Sequence, residues 1–158
     1  IARRQRQMCI RDSLVTEQEF ENFELSIEWN ISKGGNSGIF YGVKEFAELD
    51  EAFKSGPEIQ VLDNENFYTA TKLHRSPSLY DLVGPDKNNV RVYPHGEWNH
   101  LLLKIDHKKN LGTVVMNGEF AFSYPLYGSE WDKLVSKSKF RYKDYYVNRG
   151  TNKEFLAF

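Results

Sequence analysis

The chain has 158 residues, enough for one domain with a real core. Hydrophobic residues make up 40% and charged residues 27%, ordinary for a globular protein, and no run approaches the ~20 apolar residues of a membrane-spanning helix. A net charge of −1 leaves no footprint for nucleic acid, while 15% aromatics favour a sheet protein and supply rings of the kind that line sugar sites.

Residues 1–13, "IARRQRQMCIRDS", carry Arg3, Arg4, Arg6 and Arg11 against Asp12 alone. They have neither the apolar stretch of a secretory signal nor the serines of a transit peptide. "RRQRQMCIRDS" resembles a translated sequencing adapter, so residues 1–13 are expected to be non-native and residues 14–158 to form one incomplete domain. Setting them aside removes four arginines and one aspartate and moves the charge from −1 to −4. It also removes Cys9, the single cysteine, and with it disulfides, thiolate ligands and a thiol nucleophile.

From 23 to 31, "FELSIEWNI" alternates: Phe23, Leu25, Ile27, Trp29 and Ile31 share one face, and Glu24, Ser26, Glu28 and Asn30 the other. Period two over nine residues predicts a strand. "SKGGNSG" reads as a turn cluster and "GIFYGV" as a second strand. Residues 44–54 have apolar residues at helical spacing, Phe46, Leu49 and Phe53, and predict a short helix in a loop.

"GPEIQVLDN", residues 56–64, has the residues of a strand yet places Glu58 and Gln60 on one face. Asp63 joins them if a bulge adds one residue. A polar row of this kind is expected on the floor of a cleft. "ENFYTATKLHRSPS" is a long polar connection through His74, and "LYDLVGP" a short strand or strand end. "GEWNHLLLKIDHKKNLGTVVMNGEFAFSY" predicts two or three antiparallel strands, with Asn117-Gly118 suited to a type I′ hairpin. "SEWDKLVSKSKF" reads as a short helix or a loop, and the last stretch, "RYKDYYVNRGTNKEFLAF", has no clear period. Many short strands with tight turns predict an all-β protein of two antiparallel sheets, with one or two short helices in loops.

Three stretches occur together in order: "FELSIEWNISKGGNSGIFYGV", "EIQVLDN" with "HRSPSLYDLV", and "GEWNHLLLKI" with "MNG". In this combination the chain resembles the 3-keto-disaccharide hydrolase domain family, over roughly residues 14–140. The resemblance implies a concanavalin A-like jelly-roll sandwich, a carbohydrate substrate oxidised at C3, and export to the periplasm or medium. Two family features are not met: the strand upstream of Leu14, where the adapter-like segment stands, and a "G-x-I-x-L-Q-D-H-G" strand after Phe140. The chain is therefore expected to be a fragment.

The stretch Glu58, Gln60, Asp63 has the shape of the acid-x-Asp-x-x-acid strand of laminarinases, with Gln60 in place of the middle acid. That disfavours an ordinary pair of acid and nucleophile. A 3-keto sugar needs one base for the C2 proton and donors or a cation at the ketone oxygen. His74 is the first candidate base because imidazole titrates near neutrality. Glu58 and Asp63 are the alternative catalytic bases or metal ligands. Gln60 is expected to donate to a hydroxyl or the ketone, with Asn36, Ser37, Tyr80 and Asp81 as further substrate-binding residues. Trp98 is expected in the core, and His95, His100 and His107 at the surface. No strong metal-ligand spacing exists, so no cofactor is required, although Glu58, Asp63, His74 and Asp81 leave a divalent ion open. The alternative function is a carbohydrate-binding module on the same sandwich.

Overall fold

In the computed structural model the described residues are 14–43, 55–69, 71–86, 90–147, 149 and 155–158. They form two antiparallel sheets. One has the order β1-β4-β5-β6, built from Phe23–Trp29 (β1), Asn99–Asp106 (β4), Leu111–Met116 (β5) and Glu119–Tyr124 (β6). The other has the order β3-β2-β7, built from Glu58–Leu62 (β3), Asn36–Val43 (β2) and Phe155–Ala157 (β7). Residues 1–13 and the expected helix at 44–54 lie outside the described residues.

The alternation read in β1 is the one observed, with Leu25 opposite Leu103 and Ile27 opposite Leu101 on the apolar face. On the solvent face Glu24 pairs with Lys104, an exposed ion pair of the kind that contributes little. β4, β5 and β6 run as a meander. Asn117 and Gly118 turn the β5–β6 hairpin with φ of 49° and 80°, the two positive values a type I′ turn requires. Both inner faces meet in one core: Ile39, Tyr41, Ile59 and Val61 from one sheet pack with Leu101, Leu103, Val114, Met116 and Phe122 from the other.

Trp98 does not join that core. Asn99, Leu101, Leu103 and Ile105 take the inward positions of β4, so Trp98, one residue before, is turned out and is 65% exposed. His107 departs the other way: it is buried and stacks on Tyr127, while burial lowers its pKa. The "LYDLVGP" stretch is not a strand. Leu79 alone bridges to Ile59 and to Val83.

The helix α1 (Ser129–Ser136) and the segment after it fix the surroundings of β3. Trp131 and Val135, four apart on one helix face, are buried. The Trp131 indole donates to the Tyr146 carbonyl at 2.7 Å, and Tyr146 stacks on Phe140 with centroids 4.2 Å apart. The Tyr146 hydroxyl donates to the Gly56 carbonyl at 2.8 Å, just before β3. Arg149 donates to the Ser55 carbonyl at 3.2 Å and to that of Gly42 at 3.4 Å. Gly42, with φ of 68°, is where the β2–β7 register shifts, a bulge that glycine accommodates. The residues around Lys139 are thus held against the beginning of β3.

Candidate active site

The polar strand is β3, and its register explains what surrounds it. On one side Glu58 pairs with Phe40, Gln60 with Gly38 and Leu62 with Asn36. On the other side Ile59 bridges to Leu79, the Tyr80 N–H donates to the Glu58 carbonyl at 2.8 Å, and the Gln60 N–H donates to that of Ser78 at 2.9 Å. Alternation sends Ile59 and Val61 to the core and leaves Glu58 and Gln60 together on the opposite face. Phe40, Glu58 and Tyr80 therefore form one cross-strand row, and Gly38, Gln60 and Ser78 the next.

Gly38 is small for a reason. A Cβ built there would stand 2.6 Å from Glu58 Cγ and 2.8 Å from Cδ, so the glutamate lies over the glycine. Burial raises the Glu58 carboxyl from its usual 4.5 to about 7, and the Lys139 charge pulls it back in part. A carboxyl tuned near neutrality can give or take a proton.

Gln60 is 2% exposed. Its amide nitrogen donates to Asn36 Oδ1 at 3.0 Å, and its carbonyl oxygen Oε1 is buried with no partner. Asn36 thus takes one of the two amide N–H groups, and the unpartnered Oε1 is an acceptor enclosed by protein. Asn36 lies within β2 rather than in a turn, on the face of Gly38 and Gln60. Ser37 follows one residue later and points to the other face, so the structure separates these two candidates.

His74 closes the short 3-10 turn Lys72–His74, whose Leu73 N–H is capped by the Thr71 hydroxyl at 3.1 Å. Its Nε2 lies 2.7 Å from Asp81 Oδ1, and its ring stacks on Tyr80 with centroids 4.7 Å apart and planes inclined by 20°. The other Asp81 oxygen accepts the Lys139 N–H at 2.7 Å. Asp81 has φ of 60°, a conformation that Asp tolerates better than most residues. One oxygen thus serves His74 and the other the Lys139 backbone, so the carboxylate orients His74. With Nε2 donating to Asp81, the His74 lone pair sits on Nδ1. Tyr80 offers its ring to His74 and to the Lys139 ammonium, 4.1 Å from the centroid.

Asp63 takes a different part from the one its spacing suggested. It follows β3 directly and is 1% exposed. Its carboxylate accepts the Gly34 N–H at 2.8 Å, the Glu65 and Asn66 N–H groups at 3.2 and 3.3 Å, and the Asn66 side-chain amide at 2.8 Å. These bonds, the one from Gly34 foremost, lower its pKa. His95 Nδ1 lies 3.4 Å from it. An acid with so many donors staples loops and is a poor base. Asn64 next to it clamps the chain onto Ser76, accepting the Ser76 N–H at 3.0 Å and donating to its carbonyl at 2.9 Å.

Of the four residues that left a divalent ion open, His74 and Asp81 pair with each other, and Asp63 belongs to the loop network. Among the described residues no three His, Cys, Asp or Glu side chains are grouped to hold a metal. Sequence reasoning missed Lys139, which stands 58 positions from Asp81 in a stretch without a motif.

The fold is a two-sheet antiparallel sandwich, and solved proteins share it. One assigned as a glycosyl hydrolase from Parabacteroides distasonis matches 96% of this chain and 70% of its own length with a TM-score of 0.82 at 23% identity. A second, likewise assigned and from the same organism, matches 92% of this chain and 73% of its own with a TM-score of 0.71 at 22% identity. Residues 10–150 match the family described as the 3-keto-alpha-glucoside-1,2-lyase-like domain, and the chain belongs to that family. A curated relative from Bacteroides thetaiotaomicron, a 3-keto-disaccharide hydrolase, is 40% identical over 80% of this chain. The chain spans about half of that relative's length, 47%.

Proposed function

We propose that the domain cleaves the glycosidic bond of 3-keto-glycosides, with His74 as base and Glu58 as acid. The observation that carries this reading is the pairing of two acid–base groups around one ring. His74 is oriented by Asp81 and stacked on Tyr80, and Glu58 lies in the Tyr80 row of the β3 floor.

The ketone at C3 acidifies the C2 proton. His74 Nδ1 takes that proton, and the C2–H electron pair moves to form an enolate with its charge on the C3 oxygen. The enolate then collapses, the C1–O bond breaks, and the protonated Glu58 gives its proton to the leaving oxygen. Water adds to the resulting C1–C2 double bond and restores a 3-keto sugar. Elimination is a 1,2-lyase step and hydration makes the net change a hydrolysis, a course compatible with both the family description and the relative's name. Asn36, exposed and held by the Gln60 amide, suits a sugar hydroxyl.

The test is release of a chromogenic aglycone from a 3-keto-glucoside, beside the unoxidised glucoside, with and without a chelator. Release from the keto sugar alone is expected. Release from both, or only from the unoxidised sugar, overturns the mechanism. A second reading, a carbohydrate-binding module, is favoured by the exposed rings of Tyr68 and Trp98, 89% and 65% exposed. Saturable binding of the keto sugar without release selects it.

A further inference from the structure

We propose that Lys139 is a further catalytic residue, its ammonium placed to receive the negative charge that collects on the substrate's C3 oxygen. This rests on the keto-sugar reading above. Three placements carry it. The Lys139 backbone N–H donates to the same Asp81 carboxylate that holds His74, at 2.7 Å from Oδ2. Its ammonium lies 4.1 Å from the Tyr80 centroid and 5.2 Å from that of Phe140. Tyr80 in turn carries the His74 ring and stands in the cross-strand row of Glu58.

The cation is also uncommitted. Among the described residues Lys139 makes no ion pair, so all three of its N–H donors are available. An aromatic face attracts an ammonium without consuming a donor. The backbone on either side is fixed: Ser138 is buried with its hydroxyl bonded to the Val135 carbonyl, and Phe140 stacks on Tyr146. Base, orienting carboxylate, acid and cation thus converge on Tyr80. In the first step the C2–H bond breaks, the proton passes to His74, and the electron pair reaches the C3 oxygen. Lys139 keeps its proton and donates a hydrogen bond to that oxygen.

Removing one such donor typically lowers kcat by about 10²–10³-fold. Lys139→Met keeps the length and apolar stem of the side chain and removes the charge; Lys139→Arg keeps the charge. With the chromogenic 3-keto-glucoside, Lys139→Met is expected to lose on the order of 10²-fold in kcat with KM changed only slightly. Lys139→Arg is expected to recover at least a tenfold part of that loss. The Lys139 charge favours the ionised Glu58 carboxyl, so in Lys139→Met the fall of kcat/KM on the alkaline side moves to higher pH. A Lys139→Met enzyme that keeps kcat within a few-fold of the wild type overturns the proposal. So does a Lys139→Arg enzyme as impaired as Lys139→Met, because shape rather than charge would then matter. A wild-type chain that releases nothing from the keto sugar overturns the function and this residue's role together; a working wild type with an unaffected Lys139→Met overturns the role of Lys139 alone.

Discussion

Asp81 Oδ1 lies 2.7 Å from His74 Nε2, and this contact decides which imidazole nitrogen is basic. A carboxylate accepts only, so Nε2 carries the proton and Nδ1 the lone pair. Asp81→Asn tests that assignment. Asn tolerates the positive φ of 60° at this position, so the backbone is kept. Its amide can donate to Nε2 and select the wrong tautomer. The expected loss in kcat is about 10²–10⁴-fold, the usual contribution of a general base, with the melting temperature close to that of the wild type. Steady-state kinetics beside a thermal melt separates the two effects, and an unchanged kcat would remove Asp81 from the site.

Glu58 links the site to stability. Its carboxyl is raised from 4.5 to about 7, chiefly by burial. The folded state therefore favours the protonated form. The contribution is fully present below about pH 4.5 and is lost as pH rises through about 7. At about 1.4 kcal/mol per pKa unit, and discounted because the side chain is partly exposed, the loss is on the order of 2 kcal/mol. Glu58→Gln cannot ionise. Urea unfolding should show Glu58→Gln more stable than the wild type at pH 8.5 by about 2 kcal/mol and nearly equal to it at pH 4. Its kcat/KM should lose the pH dependence near neutrality along with most of its value. Equal stability differences at both pH values would count against a raised Glu58.

Gly38 and Glu58 should couple. A methyl group at Gly38 would meet the glutamate stem at 2.6 Å from Cγ, and β3, paired with β2 on one side and bridged to Leu79 on the other, is held in place. Gly38→Ala is expected to destabilise by about 1–3 kcal/mol, as overpacking does, and to lower kcat by displacing the carboxyl. In a Glu58→Ala background the same substitution finds space. A double-mutant cycle read by urea unfolding should give a coupling energy of about 1 kcal/mol or more. Additive effects would mean that Glu58 does not lie over the glycine.

What was legible in the sequence follows the range of the interactions. β1 was readable because five apolar residues at period two must share a face, and the β5–β6 hairpin because Asn-Gly is suited to two positive φ values in succession. The polar row of β3 was visible for the same reason. Asp63 was misjudged because spacing does not reveal donors brought by Gly34 and Asn66. Ser37 and Asn36 part company because the strand begins two residues earlier than the glycines suggest, which puts the two on opposite faces. Trp98 was misjudged because the inward register of β4 begins at Asn99. β7 has only three residues, too few for a period, and is fixed by pairing with β2. Lys139 reaches the site only through the tertiary docking of α1 and the segment after it.

Gln60 should show a site residue trading stability for binding. Its Oε1 is buried without a partner, and such a group typically costs about 1–3 kcal/mol. Gln60→Met keeps the length, removes the orphaned acceptor and also removes the 3.0 Å bond to Asn36. The gain from the first offsets the loss of the second, because Asn36 is exposed and can turn to water. Stability is therefore expected within about 1 kcal/mol of the wild type. Binding should suffer. Asn36 loses the amide that holds it, and a sugar hydroxyl left without its partner weakens binding by a similar 1–3 kcal/mol, roughly 10–100-fold in KM. Kinetics with the keto sugar and urea unfolding on the same preparation decide it. A higher KM with unchanged stability assigns Gln60 to substrate; lower stability with unchanged KM assigns it to the sheet.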